Sequence, residues 1–236
     1  MKPNLRARIT AEFLGTAFLL AAVVGSGIMG ERLAGGNVAI ALLANSLATG
    51  AMLVVLILAF EPVSGAHFNP AVTLSMAMTK QMRWREAAPY ITAQLSGAFV
   101  GVAAANLMFG LPIFFASTRA RNGPAQLCSE FVATFGLLVV IWACVRFRPA
   151  MVSFAVGAYI TAAYWFTAST SFANPAVTIA RAASNTFAGI RPVDVPGFVC
   201  AELLGAFVAT VVFRWLAILA EQPTERNQAD ESVTSR

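Results

Sequence analysis

Two hexapeptides carry the side chains of this chain best suited to holding or steering another molecule: Asn69-Pro-Ala-Val-Thr-Leu74 and Asn174-Pro-Ala-Val-Thr-Ile179. They differ by one conservative change. Asn is a favoured helix N-cap, whose side-chain oxygen accepts a backbone N–H, and Pro suits the first helical turn because its missing N–H would be unpaired there. Asn69, Pro70 and Ala71, and likewise Asn174, Pro175 and Ala176, therefore read as two helix starts. With their carbonyls used as caps, the two Asn amides are left free to donate hydrogen bonds to a passing molecule. This is recognition rather than bond-making. The chain shows no His or Cys cluster, no nucleophile paired with a base and no phosphate-binding glycine loop, so neither enzymatic activity nor a metal nor a cofactor is expected. Glu12 and Glu130, carboxylates inside apolar runs, and His67, the single histidine, are the remaining chemical candidates. All three read as supports for the loops that carry the Asn residues, the carboxylates by accepting hydrogen bonds and His67 by making one.

The elements that must position these groups are membrane helices. The chain is 58% hydrophobic and 11% charged, about half the charged fraction of a soluble domain. Apolar runs long enough to cross a bilayer fall at about 9–29, 38–60, 88–110, 127–146, 150–169 and 196–219. Segments 71–79 and 176–183, after the two Asn-Pro-Ala triplets, are too short to span and fit re-entrant half-helices. Residues 221–236 are polar and read as a disordered cytoplasmic tail. Cys128, Cys144 and Cys200 lie in or beside apolar runs without metal-ligand spacing and read as buried free thiols.

The runs repeat. Ala11-Glu-Phe-Leu-Gly-Thr-Ala-Phe-Leu-Leu20 matches Ser129-Glu-Phe-Val-Ala-Thr-Phe-Gly-Leu-Leu138, and Ala93-Gln-Leu-Ser-Gly-Ala-Phe-Val100 matches Ala201-Glu-Leu-Leu-Gly-Ala-Phe-Val208. With the Asn-Pro-Ala pair between them, the matches keep one order. The repeats cover about 5–115 and 125–220 within one domain, 1–236. Each half holds three spans, so the second enters the membrane from the opposite side, and equivalent segments meet near the midplane, where such proteins put their solute path. The net charge of +5 does not mark a nucleic-acid face. The basic residues punctuate the spans. Lys2, Arg6, Arg8, Lys80, Arg83, Arg85, Arg146, Arg148, Arg214, Arg226 and Arg236 fall on one side, against Arg32, Arg119, Arg121, Arg181 and Arg191 on the other. Both termini are thus expected in the cytoplasm.

His67-Phe-Asn-Pro-Ala-Val-Thr73, the second Asn-Pro-Ala and the shared Glu-Phe-x-x-Thr pattern of spans one and four resemble the aquaporin and aquaglyceroporin family over about residues 5–220. The resemblance implies an all-α, aquaporin-like bundle of six transmembrane helices plus two half-helices, one pore per protomer, and a homotetramer in the cell's inner membrane. It also implies a second constriction, the selectivity filter, which corresponds here to Thr49, Ala162, Ser171 and Val177. The family's filter Arg is absent, Val177 standing in its place, and so are the aromatic and the His of water-selective members and the Arg-Asp pair of glycerol facilitators. Some aquaglyceroporins encoded beside bacterial arsenic-resistance genes carry an aliphatic residue there, and the chain is similar to them. The implied solutes are small and neutral: polyols, metalloid hydroxides such as arsenite, methylated arsenicals and water. A water-selective channel is the alternative, and an ion-coupled transporter the remote one. Arg181, four residues after Val177, has two readings, a displaced electrostatic filter or a helix-end residue bonding carbonyls, of which the second is favoured.

Overall fold

The computed structural model describes residues 3–221, with side chains to residue 216, and in them the chain forms eight α-helices and no strand. In order these are α1 (Leu5–Leu33), α2 (Val38–Ser64), α3 (Pro70–Met78), α4 (Trp84–Met108), α5 (Pro124–Phe147), α6 (Val152–Phe166), α7 (Pro175–Arg181) and α8 (Val195–Glu221). Six are long and apolar enough to cross a membrane, the last two of these counted with the single 3-10 turn that leads into each. The two short ones, α3 and α7, begin at the repeated motifs. The tail beyond Glu221 and Lys2 lie outside the described residues.

Pairings made in one half recur in the other. α1 packs against α4 and α2, and α5 against α8 and α6. α3 touches α4 and α8, while α7 touches α8 and α4. The two halves join where equivalent elements meet, α2 on α6 and α3 on α7. This set of contacts is what a two-fold relation between inverted halves generates.

The sequence makes close helix crossings by placing small residues at them. A Cβ on Gly97 would strike the Phe13 carbonyl oxygen, and one on Gly101 the Ala17 carbonyl oxygen, so α1 and α4 approach backbone to backbone. Gly205 fits α8 against the Phe131 carbonyl of α5 in the same way, and Gly50 and Gly157 do so between α2 and α6.

The polarity is reversed relative to a water-soluble bundle. Phe18, Leu33, Val55, Trp165, Phe207 and Trp215 are exposed, whereas Glu12, Gln94, Glu130, Thr134, Glu202 and Thr210 are buried. Lipid solvates the apolar exterior, and the backbone polar groups at that depth are satisfied within the helices. Cys128 and Cys200 belong to the exterior: both are exposed free thiols and Cys144 is half-buried, which corrects the expectation that all three would be buried. Their side chains are apolar enough to face hydrocarbon, so an apolar run does not reveal which side of the helix they occupy.

The fifth span is shorter than its apolar run. α6 ends at Phe166, Thr167 turns extended (φ −108°, ψ 139°), and the chain runs through 167–174 before α7 begins. The corresponding passage in the first half, 65–69, is shorter, and Gly65 ends α2 there in the left-handed region (φ 89°).

Candidate pore and its two polar stations

Each half-helix starts as its sequence dictates. Asn69 Oδ1 accepts from Ala71 N (2.8 Å), and Asn174 Oδ1 from Ala176 N (3.0 Å) and Val177 N (3.4 Å). Pro70 and Pro175 occupy the first helical positions.

The amides do not stand free, which corrects one expectation. Asn69 Nδ2 donates to the Ala173 carbonyl and Asn174 Nδ2 to the Phe68 carbonyl, both at 2.8 Å. The two loops meet so closely that each Asn ties down the other half's backbone. An amide nitrogen carries two hydrogens, so one N–H on each Asn remains for a solute.

The loops ahead of the caps are strained in the same register. Ala66 and Phe68 in the first, and Ser171 and Ala173 in the second, each have φ 49°. For a non-glycine residue this region costs about 1–2 kcal/mol. The carboxylates offset that cost. Glu12 Oε1 accepts from His67 N (3.0 Å) and Ser64 Oγ (2.6 Å), and Oε2 from Phe68 N (2.7 Å) and Gln94 Nε2 (2.8 Å). Glu130 accepts from Phe172 N (2.9 Å) and Ala173 N (2.8 Å), one with each oxygen. Hydrogen bonds inside a low-dielectric interior are electrostatically stronger than in water. His67 Nδ1 lies 3.1 Å from Thr73 Oγ1, linking the first loop to α3.

Sequence reasoning missed several partners. Gln94 bridges Glu12 and Thr73. Its counterpart in the repeat, Glu202, accepts from Thr178 Oγ1 at 2.5 Å. The alignment of the two Gly-Ala-Phe-Val segments contained that signal. Arg121 holds the second, longer loop: its guanidinium donates to the carbonyls of Gly189 (2.8 Å) and Ser169 (3.0 Å) and to Thr170 Oγ1 (3.3 Å). Burial pushes that guanidinium down to about 10, so it stays charged at neutral pH.

A cavity of about 370 Å³ runs through these elements. At one end it meets Arg8, His67, Gln81 and Pro149. Its middle is walled by Leu53, Ile57, Val72, Leu137, Ile141 and Val156, with Asn69 and Asn174 facing it. Toward the other end it is lined by Thr49, Tyr164, Ser171, Phe172, Val177 and Arg181.

Three of the four expected filter positions, Thr49, Ser171 and Val177, line that end, but Ala162 does not. Ala162 is exposed on the bundle exterior, and α6 instead turns Val152, Val156, Ile160 and Tyr164 to the cavity. These lie four residues apart, and two residues of helix rotate by about 200°, which puts Ala162 on the opposite face from Tyr164. The Tyr164 hydroxyl lies 3.3 Å from Thr49 Oγ1. The 167–174 loop sets this phase, which the sequence does not show. Ala163, one residue further along, is buried but not on the cavity.

The family profile described as "Major intrinsic protein" matches residues 1–151. The chain belongs to the major intrinsic protein family. It is therefore a multi-pass membrane channel and not an enzyme. It is 57% identical to the aquaglyceroporin AqpS of Rhizobium meliloti (strain 1021) over 230 residues, covering 98% of each chain. It is 33% identical to the aquaporin NIP2-3 of Zea mays over 234 residues, covering 95% of this chain and 76% of that one. Among solved structures, the aquaglyceroporin from Plasmodium falciparum shares the fold at a TM-score of 0.71 and 21% identity, with 89% of this chain and 96% of that chain covered.

Proposed function

We propose that this major intrinsic protein is a passive channel for neutral solutes larger than water: polyols such as glycerol, metalloid hydroxides such as arsenite, and methylated arsenicals, with water passing as well. The observation that carries this reading is Val177. It directly follows the second Asn-Pro-Ala, is buried and lines the cavity, so an aliphatic side chain occupies the position where the family resemblance implies a filter Arg. A relative that is 57% identical and named an aquaglyceroporin supports the solute class.

The mechanism follows from the wall. Apolar side chains over most of its length offer a neutral solute little to bind, so transit is driven by the gradient alone. At mid-membrane, Asn69 and Asn174 each offer one N–H to a solute oxygen. The starts of α3 and α7 meet there, each with a partial positive charge of about half a unit. Donors with no matching acceptor, together with that potential, turn water molecules outward from the centre and interrupt a proton wire.

In the test, Val177→Arg is compared with wild type in proteoliposomes. Glycerol and arsenite flux should fall in the variant while water flux persists, and unchanged glycerol flux would sink the assignment of Val177. The water-selective reading is favoured by one observation, the Tyr164 ring beside Thr49, which narrows this end. It predicts water flux without glycerol flux in the wild type. We further place the chain in the inner membrane with both termini cytoplasmic, from the Lys and Arg distribution, and as a homotetramer, from the family resemblance.

A further inference from the structure

The end of the cavity beyond Val177 holds two polar atoms that nothing in the described chain satisfies. Arg181 is 1% exposed and Ser171 is 2% exposed. The Arg181 Nη1 and the Ser171 Oγ are both buried without a hydrogen-bond partner, and both residues line the cavity. A buried guanidinium nitrogen left unpaired costs more than most polar groups, and the cavity that Arg181 lines is where an acceptor for it can stand.

The rest of Arg181 is fixed. Its Nε donates to the Ala188 carbonyl, and its Cζ lies 3.4 Å from the centre of the Phe172 ring. Arg121, which pins the same loop, stands over that ring as well, at 4.9 Å. The guanidinium is thus held by one carbonyl and one aromatic face, with Nη1 left over. A purely structural helix-end Arg would spend its donors on carbonyls at the end of α7, but among the described residues only the bond to Ala188 is made.

We infer that Arg181 is a specificity-determining residue of the pore: with Ser171 it forms a polar clasp one turn beyond Val177 that excludes cations and binds solutes through an acceptor oxygen. The fixed positive charge is displaced along α7 rather than lost. Neutral solutes with hydroxyl or carbonyl oxygens receive one hydrogen bond from Nη1 and exchange another with Ser171 Oγ, while the Val177 level stays uncharged. This rests on the neutral-solute reading proposed above.

Urea and guanidinium test it, because they share a planar shape and differ in charge. Their uptake is measured in proteoliposomes of the full chain as wild type, Arg181→Gln and Arg181→Lys. The wild type is expected to pass urea and exclude guanidinium. A unit charge a few ångströms away in partly hydrated surroundings changes cation entry by about tenfold or more, so Arg181→Gln should raise the guanidinium-to-urea ratio by about that factor. Arg181→Lys should keep the ratio near wild type. Should the Gln variant not fold, Arg181→Met, which retains the aliphatic bulk, carries the same expectation. An unchanged ratio in a folded, urea-conducting variant, or a wild type that passes guanidinium as readily as urea, overturns the inference. A wild type that moves no urea or glycerol removes the channel reading beneath it, a separate and recognisable failure.

Discussion

Glu12→Ala is the substitution for which the structure supplies the fullest arithmetic. The carboxylate accepts four hydrogen bonds, from His67 N, Phe68 N, Ser64 Oγ and Gln94 Nε2, while the same loop holds Ala66 and Phe68 at φ 49°. Truncation orphans two backbone N–H groups and removes one of the two bonds of the buried Gln94 amide, which keeps the one to Thr73. Each orphaned buried donor costs about 1–3 kcal/mol. Water entering from the cavity recovers part of this, and the Ser64 hydroxyl can rotate, which leaves a net loss of about 3–6 kcal/mol. For a chain of this size 1 kcal/mol corresponds to roughly 2–4 °C in Tm, so the variant should melt roughly 6–24 °C below wild type in detergent. Glu12→Gln keeps one acceptor oxygen but turns an NH2 toward another donor, and should fall between the two. Glycerol flux in reconstituted Glu12→Ala should drop with the stability, because the released loop no longer presents Asn69. A Glu12→Ala protein melting within about 2 °C of wild type and conducting normally would refute the claim that the carboxylate holds the loop.

Other expectations follow from single contacts. Gly97→Val should abolish or severely reduce folded protein, read as loss of a monodisperse peak on size exclusion, because its side chain meets the Phe13 carbonyl of α1. Tyr164→Ala should speed uptake of polyols longer than glycerol several-fold, whereas Ala162→Leu, altering an exposed position, should leave every flux within about twofold of wild type; the reverse pattern would restore Ala162 as the filter position. Arg121→Ala breaks the bonds to Gly189, Ser169 and Thr170 and should lower Tm by several degrees, a shift that differential scanning measures directly.

What the sequence made legible is what depends on local chemistry or on repetition. Asn69 and Asn174 cap helices because an Asn side-chain oxygen reaches the first free backbone N–H groups and Pro is preset for the first helical position. Glu12 and Glu130 could be singled out because they recur at matching places and because an intramembrane carboxylate demands partners. The half-helices were visible as runs too short to span.

What stayed hidden depends on distances set by the assembled fold. The face that α6 turns to the cavity follows from how the 167–174 loop folds, so Tyr164 could not be told from Ala162 by counting. The second hydrogen bond of each Asn amide exists only because the two loops abut. Arg181 could be placed one turn beyond Val177, yet whether its guanidinium reached lipid, a carbonyl or the cavity required the Phe172 ring and the Ala188 carbonyl, contributed by residues on either side of α7. Arg121 lies in a loop with no motif, and its role comes from four acceptors scattered over 169–189, at Ser169, Thr170, Phe187 and Gly189.

The measurement that bears most directly on the central claim is stopped-flow light scattering of wild-type proteoliposomes under separate glycerol and water gradients, with empty liposomes as the baseline. A pore whose outer station is Thr49, Tyr164, Ser171 and Val177, with no Arg at position 177, should accelerate both glycerol and water equilibration well above that baseline. Water equilibration accelerated alone, with glycerol no faster than through lipid, would contradict it and make the channel a water-selective one.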